Sequence, residues 1–250
     1  MCTYRTRGNI NYKEKGNVFV NSFPIMSGGP RFLMYVKAAS DGQNVGDCPF
    51  SQRAMMYANI KVPKEEVEIT PVDLSNKPED FLKLNPSGKV PVLIDRKFEK
   101  IISDSAEITQ YLHEQYPDID CQQNYSGPAL DACMGVFPKL AAIIKNKDPT
   151  KMETLRQALH SELKKVDEYL GSNDHNGQFL LSDKLCEIDC MFLPRLRHVI
   201  VAGKHYGGFE IPEEFKHLKE YISNAEQNEI FQSTSCHESE IIHGWKKHTQ

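Results

Sequence analysis

The stretch that decides the fold is Asp47-Cys48-Pro49-Phe50-Ser51-Gln52-Arg53, which places a cysteine at the start of a predicted helix. An apolar run suited to a buried strand, residues 31–37, precedes it, and residues 40–46 between the two are turn formers. A helix tolerates proline at its first position because the amide there has no partner within the helix. Pro49 therefore places Cys48 at the N-cap, where free backbone N–H groups and the helix dipole favour a thiolate.

Charged and polar neighbours set what this cysteine is able to do. Lys37 and Arg53 add positive charge near it, whereas Asp47 opposes a thiolate. Ser51 stands where a dithiol enzyme carries its resolving cysteine, so a disulfide formed at Cys48 has to be resolved by an external thiol. The alternative is that Cys48 is only a small buried residue, as most free cysteines are. The tetrapeptide alone supports both interpretations equally.

Composition and charge limit the class of protein. With 250 residues, 40% of them hydrophobic and 26% charged, the chain fits a soluble globular protein of two modest domains. A formal net charge of -4 and scattered lysines and arginines argue against nucleic acid as a partner. Seven cysteines without a zinc pattern and the lack of a secretory signal peptide indicate free thiols, so we expect a cytoplasmic protein without a metal. The apolar runs fall short of the ~18 residues that a membrane helix requires.

Residues 31–116 have the element order of a thioredoxin-like domain, β-α-β-α-β-β-α. Strands are predicted at 31–37, 66–73, 89–95 and 98–102, and helices at 49–59, from 77 and from 103. Pro91 opens the third strand, and because only X-Pro bonds adopt the cis form at small cost, the Val90–Pro91 peptide is a candidate cis bond. In that form the Val90 backbone would lie next to the Cys48 sulfur. A trans proline at a strand start is the commoner alternative.

The rest of the chain divides into a tail, a linker and a helical domain. Residues 1–30 are predicted to form a flexible extension, with a targeting segment as the alternative. Residues 117–128 are rich in turn formers and are predicted to be the linker. Residues 129–250 are predicted to be all-helical, with helices at 129–147, bent at Pro138, and at 151–170, from 186, 212–226 and 239–248. Asp189 is predicted to cap the helix that begins near Cys186.

Four segments carry a resemblance to a known family. They are Val36–Ala38, Gly46–Arg53, Asp73–Pro78 and Asn85–Val92. Together they are similar to the glutathione transferase superfamily, in the branch shared by glutathione-dependent dehydroascorbate reductases and chloride intracellular channel (CLIC) proteins. The resemblance extends from about Arg31 to His248. It implies a thioredoxin-like α/β domain followed by an all-helical C-terminal domain, and it favours the cis form of the Val90–Pro91 bond.

The two kinds of protein in this branch are favoured by different stretches. Ser75–Pro78 and the terminal Gly244-Trp245 resemble the reductases. Leu193–His198 and the residues that follow, up to Pro212, are closer to invertebrate CLIC proteins. The resemblance therefore leaves both activities open.

Charge separates the two alternatives. CLIC proteins are proposed to insert the segment that begins at the cysteine helix into a bilayer. In this chain that segment carries Arg53, Lys61 and Glu68, among other charges. Each central charge costs ~2.5–3.5 kcal/mol on insertion scales. Soluble thiol chemistry is therefore ranked above reversible membrane association and anion conduction.

The resemblance implies glutathione as the co-substrate. The predicted contacts are Pro49, Phe50, Lys89, Val90, Pro91, Asp104 and Ser105. The cysteine of glutathione would pair with the Val90 backbone, its γ-glutamyl carboxylate would meet Ser105 at a helix N-terminus, and its γ-glutamyl amine would meet Asp104. Helix capping alone is the alternative role of Asp104 and Ser105, and the two roles are compatible. Lys37 and Asp47 are predicted to line the pocket for dehydroascorbate.

The function that follows is a glutathione-dependent thiol oxidoreductase of the monothiol type, a dehydroascorbate reductase or thioltransferase. Thiolate Cys48 would attack the oxidised substrate and become a sulfenate or equivalent adduct. One glutathione would convert this to a mixed disulfide, and a second would release oxidised glutathione. The expected partners are glutathione and either dehydroascorbate or protein and small-molecule disulfides, and we expect a monomer. A CLIC-like protein is the alternative, and a binding protein that is merely glutathionylated at Cys48 is a third.

Overall fold

The computed structural model describes residues 29–119, 121 and 126–249. The extension predicted at residues 1–30 lies outside this range except for its last two residues. Parts of the predicted linker, 120 and 122–125, lie outside it as well.

The first part of the chain forms a four-stranded mixed sheet within the described residues. Its strands are β1 (Phe32–Lys37), β2 (Val67–Val72), β3 (Val92–Asp95) and β4 (Lys100–Ile102), in the spatial order β2-β1-β3-β4. β1 runs parallel to β2 and antiparallel to β3, and β4 is antiparallel to β3. The helices between and after the strands are α1 (Pro49–Lys61), α2 (Glu79–Leu84) and α3 (Ser105–Gln115). The predicted order β-α-β-α-β-β-α is confirmed.

Side chains of β1 alternate between two apolar layers, as the pleat of a strand requires. Phe32, Met34 and Val36 pack into the larger core, which contains α1, α3 and most of the helical part. Leu33 and Tyr35 pack on the opposite face with Phe81 of α2. The sheet is therefore covered on both faces, which accounts for the continuous apolar run in its central strand.

The second part of the chain is helical. Its helices are α4 (Pro128–Met134), α5 (Val136–Ile144), α6 (Met152–Leu170), α7 (Glu187–His198), α8 (Lys204–Gly207), α9 (Lys216–Gln227), α10 (Glu229–Thr234) and α11 (Glu238–Lys246). A π-helical segment, Val199–Gly203, joins α7 to α8. The predicted cap of α7 is confirmed, because Oδ2 of Asp189 accepts a hydrogen bond from the Cys186 N–H at 2.8 Å.

Two predictions for this part are wrong. The helix predicted over 129–147 is two helices that meet at Gly135, and its bend is not at Pro138. A Cβ on Gly135 would overlap the Glu162 carboxylate of α6, so the break occurs where two helices approach closely. Pro138 lies in the first turn of α5, where its missing N–H costs nothing. Helix α10 was not predicted; its start is marked by Asn228, whose side chain accepts from the N–H groups of two residues of the first turn.

A buried ion pair joins the two parts. Arg53 of α1 donates from Nε to Oε1 of Glu187 on α7 at 3.1 Å, and its Nη2 contacts the same oxygen. Thr109 of α3 lies 3.4 Å from that oxygen. Arg53 therefore serves the contact between α1 and α7, and its charge is neutralised there. The expectation that Arg53 adds positive charge beside Cys48 is not supported by this arrangement.

Candidate active site

Cys48 is the N-cap of α1, as the sequence predicts. Its backbone is extended (φ -70°, ψ 112°), Pro49 follows at the first helical position, and the Cys48 carbonyl accepts from the Gln52 N–H at 3.0 Å. The sulfur makes no capping hydrogen bond, and the residue is half-buried. The sulfur therefore lies at the positive end of a thirteen-residue helix without a hydrogen bond of its own to the helix amides.

The other described cysteines have a different environment. Burial raises the pKa of Cys121 and of Cys236 to about 11, and it raises the pKa of Cys133, Cys186 and Cys190 above the usual value of a thiol. These five thiols stay protonated at neutral pH, and a protonated thiol is a poor nucleophile.

Ser51 is fully buried, and its Oγ accepts a hydrogen bond from the Lys37 backbone N–H at 3.3 Å. The residue at the resolving position thus links α1 to the end of β1. This structural role accounts for a hydroxyl at that position independently of the chemistry at Cys48.

The Val90–Pro91 peptide bond is cis, so this prediction is confirmed. Val90 lies just before β3, and among the described residues its N–H and C=O have no backbone partner. Asn85, which the sequence analysis did not single out, is buried and donates from Nδ2 to the Lys89 carbonyl at 2.6 Å. The signal that could have identified it is the Asn-Pro-Ser-Gly turn that it opens.

Asp104 is the N-cap of α3, and Ser105 is its first residue. Oδ1 of Asp104 accepts from the N–H groups of Ala106 at 2.8 Å and Glu107 at 3.2 Å. No hydrogen bond within the described residues ends on Oδ2, and Asp104 is exposed. The capping role is confirmed. The predicted contact with glutathione stays a prediction that this geometry permits.

A cavity of about 510 Å³ lies beside the Cys48 segment. Lys37 and Asp47, the predicted pocket residues, form an ion pair in its wall. Ser75, from the loop after β2, and His243, from α11, contribute to the lining as well. Of the predicted site residues, this cavity brings together Lys37 and Asp47, whereas the predicted glutathione contacts lie outside its lining. The cavity is thus a compartment next to the cysteine, with both charges and hydroxyl groups in its wall.

Phe50 extends from the start of α1 toward the helical part of the molecule. It is 41% exposed, and the guanidinium of Arg195 on α7 lies 5.6 Å from its ring centroid. The same guanidinium lies 5.8 Å from the ring of Phe137. Burial, together with the nearby charge of Arg53, lowers the pKa of Arg195. The Arg195 guanidinium therefore lies over the ring of Phe50, the second residue of α1.

Two residues near the cysteine segment had no predicted role: Trp245 appeared only in the reductase-like pair Gly244-Trp245, and His198 only in the CLIC-like stretch Leu193–His198. The indole Nε1–H of Trp245 donates to Nδ1 of His198 at 2.8 Å, and Asp47 lies close enough to His198 to raise its pKa against the effect of burial. Burial lowers the pKa of His198 to about 4, so its ring is neutral at physiological pH. The available signals are that Trp245 belongs to the reductase-like pair and is the single tryptophan of the sequence.

The described helices include none with the length and apolar character needed to cross a bilayer. In the same part of the chain, no three His, Cys, Asp or Glu side chains are grouped closely enough to hold a metal ion.

Comparison with known proteins places this geometry in a family. The family model for the glutathione S-transferase N-terminal domain matches residues 47–115, which include the cysteine, the cis proline and the start of α3. The glutathione S-transferase DHAR3 of Arabidopsis thaliana, a chloroplastic protein, is 34% identical over 215 residues, which cover 84% of this chain and 78% of the relative. The chain belongs to the glutathione transferase superfamily. The probable cytosolic glutathione S-transferase DHAR1 of rice is 33% identical over 84% of this chain and 94% of its own length.

Two solved structures share the fold of this glutathione transferase. The crystal structure of Chlamydomonas reinhardtii dehydroascorbate reductase superposes with a TM-score of 0.78 at 27% identity, over 88% of this chain and 100% of that chain. The CLIC homologue EXC-4 from Caenorhabditis elegans superposes with a TM-score of 0.75 at 23% identity, over 88% of this chain and 86% of that one. The second likeness concerns the fold alone.

Proposed function

We propose that this glutathione transferase is a thiol oxidoreductase that uses glutathione to reduce dehydroascorbate or disulfides, with Cys48 as the nucleophile. The observation that carries the proposal is the position of Cys48: half-buried at the N-cap of α1, beside the cavity that contains the Lys37–Asp47 pair. Relatives named for dehydroascorbate reductase, at about one third identity, support the choice of substrate. The cytoplasm is the proposed location, since a reducing compartment keeps such thiols free.

Glutathione would bind along the edge formed by the Val90–Pro91 peptide and the start of α3. The N–H and C=O of Val90 are available for an antiparallel backbone pair with the cysteine of glutathione. The γ-glutamyl carboxylate would accept from the amides at the start of α3 and from Ser105, and Oδ2 of Asp104 would accept from the amine. Lys89, Pro49 and Phe50 would complete the site around the sulfur.

The proposed reaction proceeds by sulfur chemistry at Cys48. The thiolate adds to a carbonyl carbon of dehydroascorbate, a C–S bond forms, and the carbonyl oxygen takes up a proton. A glutathione thiolate then attacks the Cys48 sulfur, the S–S bond forms as the C–S bond breaks, and ascorbate leaves with that electron pair and a proton. A second glutathione attacks the glutathione sulfur of the mixed disulfide, which releases oxidised glutathione and restores the Cys48 thiolate. Two glutathione thiols thus supply the two electrons.

Ser51 excludes an internal resolving step at its position. Its hydroxyl is buried and bonded to the Lys37 N–H, and an oxygen in place of sulfur forms no disulfide. Resolution of the mixed disulfide therefore requires the second glutathione. Conjugating transferases, by contrast, activate glutathione without forming a disulfide with it, so conjugation is not the expected reaction.

Turnover by variants tests the proposal. Glutathione-dependent reduction of dehydroascorbate should be abolished in Cys48→Ser and retained in Ser51→Ala, because Ser51 contributes a hydrogen bond and no redox chemistry. Retention of the wild-type rate by Cys48→Ser would contradict the proposal. Anion flux into liposomes, without any such turnover, would favour a CLIC-like activity instead.

A further inference from the structure

Two consecutive residues of helix α11 lie near the segment that carries Cys48, one in direct contact with it and one through His198. A Cβ on Gly244 would overlap Oδ2 of Asp47, so the backbone of α11 rests directly against that carboxylate. The next residue, Trp245, is 8% exposed and donates its indole N–H to Nδ1 of His198 at 2.8 Å. Two residues of the last helix thus reach the Cys48 segment, one directly and one through His198.

The hydrogen-bond chemistry of this cluster fixes the tautomer of His198. The indole N–H is a donor only, so Nδ1 accepts, and the neutral ring carries its hydrogen on Nε2. That hydrogen is available to the backbone of Asp47, which lies beside the ring. Phe137 packs edge-on against His198, with ring centroids 6.0 Å apart, and its centroid is also 6.0 Å from that of Trp245. The two rings are therefore held in this arrangement by packing as well as by the hydrogen bond.

The orientation of the Asp47 backbone determines the orientation of the Cys48 backbone. The carbonyl of Asp47 and the N–H of Cys48 belong to one planar peptide unit, so the orientation of the first determines the orientation of the second. Lys37 holds the carboxylate of the same aspartate. Lys37 of β1 thus pairs with the side chain of Asp47, and His198 of α7 lies beside its backbone, immediately before the cysteine.

We propose that His198 and Trp245 are positioning residues that orient the Asp47–Cys48 peptide and so set the reactivity of the Cys48 thiol. The Trp245 indole fixes the His198 imidazole in the tautomer with its hydrogen on Nε2. That hydrogen then restrains the Asp47–Cys48 peptide. This rests on Cys48 being the nucleophile of the proposed function. It assigns to the last helix, which lies about two hundred residues from the cysteine in sequence, a part in the chemistry.

Alkylation of Cys48 by iodoacetamide tests the proposal without glutathione or dehydroascorbate. Trp245→Phe keeps an aromatic ring but loses the N–H, and the loss of one hydrogen bond of about 1 kcal/mol predicts an alkylation rate constant lowered about fivefold. Peptide mapping by mass spectrometry assigns the alkylated cysteine. The matched control is Tyr206→Phe, which removes the 2.7 Å hydrogen bond from the Tyr206 hydroxyl to the Ile242 carbonyl of the same helix. This control should alkylate at the wild-type rate.

A second pair of variants separates positioning from packing. Glutamine carries one acceptor and one donor, as neutral histidine does, so His198→Gln should keep most of the alkylation rate. His198→Leu has neither and should be slowed at least as much as Trp245→Phe. Equal rates in wild type, Trp245→Phe and His198→Leu, all folded by circular dichroism, would overturn the proposal. Slowing in Tyr206→Phe equal to that in Trp245→Phe would also overturn it, because docking of α11 would then suffice.

The outcome is independent of the proposed activity. If the variants slow alkylation but wild type reduces neither dehydroascorbate nor disulfides, positioning stands and the proposed function fails. If wild type turns over and alkylation is unchanged in every variant, the proposed function stands and positioning fails.

Discussion

At the scale of single residues, Cys48 is set apart from the other described cysteines by what surrounds each thiol. Five of them are held in their neutral form by burial, whereas Cys48 lies half-buried at a helix start beside a cavity. Two nearby residues have other partners: Asp47 forms an ion pair with Lys37, and Ser51 accepts a hydrogen bond from the Lys37 N–H. The segment is therefore held in place while the sulfur itself has no cap to satisfy.

The pH dependence of stability should reveal the neutral His198. Its folded pKa, about 4, lies below the ordinary value of 6.5, so its stabilising effect is complete above about pH 6.5 and is lost as the pH falls through 4. Burial is the largest cause of this shift; the charge of Asp47 raises the pKa of His198, whereas the charges of Lys37 and Arg197 lower it. We expect this residue alone to cost about 2 kcal/mol of the free energy of unfolding between pH 7 and pH 5.

Urea denaturation of wild type and His198→Gln at the two pH values measures this cost. The variant has no titrating ring, so it should lose less stability on acidification than the wild type by that amount. Identical losses in both proteins would show that the ring does not titrate as its burial requires.

At the level of elements, the two helices of the site begin differently: no side chain caps the first turn of α1, whereas the carboxylate of Asp104 caps that of α3. Pro49 and Asp104 are strong local signals, so both helix starts follow from sequence. The break between α4 and α5 does not, because it depends on Glu162 of α6 lying against Gly135. The contact of Trp245 with His198 joins residues 47 positions apart, and no local pattern encodes such a pair.

Removal of the α3 cap separates its structural and its binding roles. Asp104→Ala should lower the free energy of unfolding by about 1 kcal/mol, since two N–H groups lose their acceptor. It should also raise the KM for glutathione, since Oδ2 would no longer meet the γ-glutamyl amine.

The matched control for that variant is Asn228→Ala, which removes an equivalent cap from α10. Its stability should fall by a similar amount, with the KM for glutathione unchanged. An unchanged KM in Asp104→Ala as well would reduce Asp104 to a capping residue.

At the level of the whole molecule, α1 is the helix that connects the two parts of the chain by packing on both. It packs on α3 within the first part and on α7 within the second, and the Arg53–Glu187 pair is buried at that junction. The order of strands and helices in the first part followed from local sequence patterns, and the cis form of the Val90–Pro91 bond followed from the family resemblance. The junction did not, because Arg53 finds its partner 134 residues away.

Breaking this pair on one side should weaken the junction strongly. Glu187→Leu leaves the Arg53 guanidinium buried without its carboxylate, and we expect a loss of about 3–5 kcal/mol in the free energy of unfolding. Arg53→Met in the same chain should restore much of that loss. The exposed Lys83–Asp80 pair is the control, since Asp80→Asn should change stability by less than about 1 kcal/mol. Denaturant unfolding of wild type, Glu187→Leu, the double variant and Asp80→Asn measures these losses. A loss in Glu187→Leu as small as that in Asp80→Asn would show that the ion pair does not stabilise the junction.

We expect Cys48 alone to form the mixed disulfide with glutathione during turnover. Mass spectrometry of the full chain, quenched with acid after mixing with dehydroascorbate and one equivalent of glutathione, tests it directly. We expect one bound glutathione, which maps to the peptide that contains Cys48 and is absent from Cys48→Ser. A glutathione mapped to any other cysteine, or an unmodified chain that has nevertheless produced ascorbate, would contradict it.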